Sequence, residues 1–119
     1  MKRNITAIKF WKRSAQSIEE TQEVNLKYEN GAFDIVEKNI TLSKEESDQI
    51  ISTLLKDIDI NSYDESYLGY KYEDDKNNFS FRFLLSISFD NATYIIIKGI
   101  KPFGQPHYKE ILNLFSKYL

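Results

Sequence analysis

Every second residue from Phe79 to Phe89 is large and apolar. Phe79, Phe81, Phe83, Leu85, Ile87 and Phe89 alternate with positions that are mostly Ser or Arg, Leu84 being the exception. Successive side chains of a strand point to opposite sides, so a period of two sustained over eleven residues predicts a strand with one buried face. A helix would scatter the same six side chains around its circumference. This strand limits the chain to folds in which a sheet supplies half the core.

The neighbouring residues extend the sheet. Asp90-Asn91 separates the strand from Thr93 to Lys98, a β-branched run, and predicts a tight hairpin because both residues tolerate a positive φ. Upstream, Leu68, Tyr70 and Tyr72 also alternate, which makes the Phe79–Phe89 strand the middle of a three-strand meander. In the first half, Val24, Leu26 and Tyr28 alternate up to Asn30-Gly31, and Phe33 and Ile35 continue beyond it. With a two-residue turn, Tyr28 falls opposite Phe33 and Leu26 opposite Ile35, on one face. Residues from Ile5 to Trp11 add an earlier strand.

A helix follows each meander. Ser43-Lys44-Glu45-Glu46 is a capping box, and Ile50, Ile51, Leu54, Leu55 and Ile58 form a helical stripe behind it. The last helix is expected to open at Gln105-Pro106 and to bury Tyr108, Ile111, Leu112, Phe115, Tyr118 and Leu119. The expectation is a single α+β domain over residues 1–119. It has two layers, a mainly antiparallel sheet of about six strands with two helices on one face, in the order βββα-βββα. At 119 residues such a domain buries a core without staples, and 41% hydrophobic with 29% charged residues is an ordinary globular balance.

With no cysteine, disulfides, thiolate metal sites and cysteine nucleophiles are excluded. No apolar run approaches the roughly 18 residues of a membrane span, and Met1 to Phe10 has no signal-peptide core. The expectation is a cytoplasmic protein without membrane contact. Abundant Lys, Asn and Ile with little Ala is what an AT-rich bacterial or phage genome encodes.

Chemistry-bearing patterns are sparse. His107, the only histidine, is expected in the first turn of the last helix, and no pattern of Ser and acid residues around it suggests a relay. Asp57-Ile58-Asp59-Ile60-Asn61 opens like an EF-hand loop, but Ser62 stands where Gly is needed and Leu68 where the bidentate Glu belongs. No catalytic residue, metal ligand or cofactor site is assigned.

Two surface regions suggest partners. The net charge of −2 hides +5 over the first 13 residues and −7 over the rest. Lys9, Trp11 and Arg13 share one face of the leading strand, the mixture of cations and aromatic surface used on nucleic acid; lysines guarding an exposed edge strand would look the same. Tyr63, Asp64, Glu65 and Tyr67, with Glu73, Asp74 and Asp75, form an acidic segment whose tyrosines resemble interface anchors. These features point first to a non-enzymatic protein-binding module, of inhibitor or immunity type, that occludes a basic partner surface. A nucleic-acid-associated regulator using the N-terminal strand comes second, and a small enzyme third.

Overall fold

The computed structural model describes residues 4–14, 21–62, 81–101 and 107–119. They contain β1 (Ile5–Ser14), β2 (Gln22–Glu29), β3 (Ala32–Ile35), β4 (Ile40–Thr41), α1 (Lys44–Ser52), β5 (Phe81–Phe89), β6 (Tyr94–Lys101) and α2 (Tyr108–Phe115). The strands form one antiparallel sheet in the order β4-β3-β2-β1-β5-β6. The two-layer α+β architecture is as the sequence predicts, with the two-residue β4 added. The strand expected at Leu68 to Tyr72 lies outside the described residues. No helix among the described residues is long and apolar enough to cross a membrane.

β1 pairs with β2 on one side and β5 on the other. Both edges of β5 are therefore taken, by β1 and β6, and it is not the middle of a meander begun at Leu68. Alternation along β1 sorts the faces. Ile8 lies between Leu26 and Ile87, and Phe10 between Val24 and Leu85, all buried on the helix side. Ile5 joins that side, opposite Phe89, because a bulge between Ile5 and Ala7 resets the register.

The first hairpin has the expected register, Tyr28 opposite Phe33 and Leu26 opposite Ile35. Asn30 and Gly31 both have positive φ, at 55° and 82°, the geometry an Asn-Gly turn favours. The second hairpin forms where the sequence predicts a tight turn, and its loop holds three residues. Phe89 N donates to Thr93 O at 2.9 Å across a three-residue loop, and Ala92, not Asp90 or Asn91, takes the left-handed conformation at φ 65°. This register buries Ile95 and Ile97 completely and turns Tyr94 outward.

α1 begins where Ser43 Oγ accepts from Glu46 N at 3.1 Å. After Ser52 the helix widens into a π-turn over Thr53–Asp57, and Ile58 N donates to Thr53 O. The wider turn keeps Ile58 beneath the sheet in line with Ile50 and Leu54, while Leu55 is exposed. Ser47, fully buried, accepts from Phe33 N at 2.9 Å and fastens α1 to β3. α2 begins at Tyr108, later than the expected Gln105-Pro106; His107 precedes it at φ 73° and is not a first-turn residue. Ile111 and Phe115 are fully buried, and Phe115 stacks on Phe10 with ring centroids 5.4 Å apart.

Truncating Phe10 removes the ring shared by β1, β5 and α2. F10A is expected to cost about 3–5 kcal/mol, read by urea unfolding. Ala92 bears a Cβ in a conformation that glycine accepts without strain, so A92G should raise stability by ~1 kcal/mol in the same assay.

Candidate functional site

The cations and ring of β1 stand together on the helix-free face of the sheet, as their spacing predicts. They are not on an edge, because β1 lies between β2 and β5. Trp11 is half-buried between Glu23 and Leu84. Arg13 lies 4.8 Å from the Trp11 ring centroid, and its Nε donates to Thr21 Oγ1 at 2.8 Å. Lys9 Nζ lies 3.6 Å from Glu23 Oε1, and Lys27 pairs with Glu29 at 3.0 Å. Lys9, Arg13 and Lys27 therefore each meet an intramolecular acceptor, whereas a nucleic-acid surface requires cations available to displace counterions from phosphate. Beside them, Ala7, Ser86 and Ser88 leave a depression of about 400 Å³ bordered by Lys9, Lys27 and Val36.

The acidic segment, Tyr63, Asp64, Glu65, Tyr67, Glu73, Asp74 and Asp75, lies outside the described residues. The segment reminiscent of a calcium loop is organised by its isoleucines. Ile58 and Ile60 are fully buried while Asp57, Asp59 and Asn61 face solvent. Among the described residues no group of three or more His, Cys, Asp or Glu side chains could hold a metal ion.

On the helical layer a groove of about 300 Å³ runs between α1 and α2. Its floor is apolar, from Ile50 and Leu114, and its rim carries Glu46, Asp57 and Glu110 with Lys117. The capping box explains only part of Glu46. Its amide is capped by Ser43, but its carboxylate reaches across to the 3-10 turn that follows α2 (Ser116–Tyr118), where Oε1 accepts from Tyr118 Oη at 2.7 Å and meets Lys117 Nζ at 3.5 Å. Among the described residues the carboxylates of Asp57 and Glu110 have no ion-pair or hydrogen-bond partner. No local pattern announces this groove, because Glu46, Asp57 and Glu110 come from three separate stretches.

Burial, together with the hydrogen bond to Glu46 and its negative charge, raises the Tyr118 phenol well above the usual tyrosine range. No family model, curated protein or solved structure matches the chain.

The raised phenol makes a signed prediction. An unfolded tyrosine ionises near pH 10 whereas Tyr118 stays neutral in the fold, so its contribution is complete below about pH 10 and is lost as pH rises further. Y118F should cost about 1 kcal/mol at neutral pH and flatten the alkaline fall, measured as the difference between the two stability–pH curves.

Proposed function

We propose that the chain is a non-enzymatic protein-binding module that occludes a basic surface on its partner, of inhibitor or immunity type and of bacterial or phage origin. The observation that carries this reading is the groove between α1 and α2, where Asp57 and Glu110 rim an apolar floor without a counter-ion among the described residues. Carboxylates beside apolar surface suit a cationic partner, since they steer its approach and accept charge-assisted hydrogen bonds once water is excluded. The segment containing Asp64, Glu65, Glu73, Asp74 and Asp75 adds acidity and aromatic contact area by composition.

The test is the partner and its salt dependence. The purified chain should form a stable complex with a basic protein from its native cell. Its association rate constant should fall on the order of tenfold between low and high salt. Neutralising Asp64, Glu65, Asp74 and Asp75 together should slow association further. Recovery of the free chain alone, or of a partner bound with no salt dependence, would sink the proposal.

A further inference from the structure

The interhelical groove has features beyond general acidity. A cation already occupies one end of its rim: Lys117, just after α2, lies 3.5 Å from Glu46, whose same oxygen accepts from Tyr118. That end is closed by the chain's own residues. The other two carboxylates, Asp57 at the π-turn and Glu110 in the first turn of α2, line the same groove from opposite helices. The amide side chains of Gln49 and Asn113 and the hydroxyl of Thr53, all able to accept hydrogen bonds, line the same groove together with Ile50 and Leu114.

Building on the proposed function, we propose that this groove receives one arginine side chain of the basic partner, its guanidinium between Asp57 and Glu110 and its aliphatic stem over Ile50 and Leu114. Arginine fits better than lysine for two physical reasons. Its planar fork offers five donors in fixed directions, enough to serve two carboxylates and neighbouring amide oxygens together, whereas an ammonium has three. It is also the more weakly hydrated cation, so it gives up water more readily above an apolar floor. The Lys117–Glu46 pair acts as a wall that fixes which end of the groove remains open.

The probe is the tripeptide acetyl-Gly-Arg-Gly-amide, followed by NMR on the isotopically labelled full chain. Shifts centred on Ile50, Thr53, Asn113 and Leu114 are expected. The citrulline tripeptide, which keeps the shape without the charge, should bind at least about tenfold more weakly, and the lysine tripeptide should fall between them. D57N/E110Q should lose the response while D34N/E37Q, which removes two acids elsewhere, should retain it; matched melting temperatures exclude unfolding. Shifts scattered over all acidic surfaces, equal binding of citrulline, or an undiminished response in D57N/E110Q would overturn the proposal. The two readings fail separately. A basic protein that binds D57N/E110Q as tightly as the unaltered chain overturns the groove and leaves the proposed function standing; absence of any basic partner overturns that function whatever the peptide does.

Discussion

β1 is hydrogen-bonded along both edges, to β2 on one side and to β5 on the other, and the β2–β3 and β5–β6 hairpins become one sheet only through it. Its alternation then decides which residues meet. Ile8 and Phe10 face the helices, and Lys9, Trp11 and Arg13 face away. Phe10 contacts Phe83 on the neighbouring strand and Phe115 on α2, at centroid distances of 6.4 and 5.4 Å, so a single ring links the chain's beginning, middle and end. A one-residue slip of β1 would exchange its two faces. The bulge after Ile5 and the hydrogen bonds between Asn4 and Asp90 fix its start against that slip.

The readable parts of the fold are those written in short stretches. The β2–β3 register followed from Asn30-Gly31 and the alternation around it, because a two-residue turn leaves one pairing that puts Leu26, Tyr28, Phe33 and Ile35 together. Asp90 and Asn91 mark the second hairpin and are good left-handed residues by type, yet the three-residue loop assigns that conformation to Ala92. The start of α2 differs in the same way: Pro106 favours a first helical turn, but the left-handed His107 delays the helix to Tyr108. The β1–β5 pairing joins residues as far apart in sequence as Ile5 and Phe89 at one end and Ser14 and Phe81 at the other, and no local preference encodes it.

The candidate site shows the same divide more sharply. Glu46 reads in sequence as a capping residue, and its amide is indeed capped, but its carboxylate is engaged by Tyr118 and Lys117 of the second half. Asp57 opens a calcium-like spacing, which the buried Ile58 and Ile60 explain as core packing; its place in one groove with Glu110 appears only once the helices pack. The spacing of Lys9, Trp11 and Arg13 is enough to put them on one face, but the acid that meets Lys9 and the hydroxyl that meets Arg13 belong to β2 and the residue before it. Grouping could be read from periodicity, whereas charge balance required the neighbouring strand.

The double engagement of β1 also sets an order of events during synthesis. The β2–β3 hairpin needs only a two-residue turn and can close within microseconds, and α1 follows it directly in sequence. β1 gains its second neighbour only after residues 81–89 have left the ribosome, and Phe10 meets Phe115 later still. Until then one edge of β1 and its apolar face stay open to water, and closing that long loop carries an entropic cost before any contact offsets it. A nascent chain stopped before β5 would therefore hold a formed hairpin beside an unsealed, adhesive strand, the kind of intermediate that chaperones are built to shield.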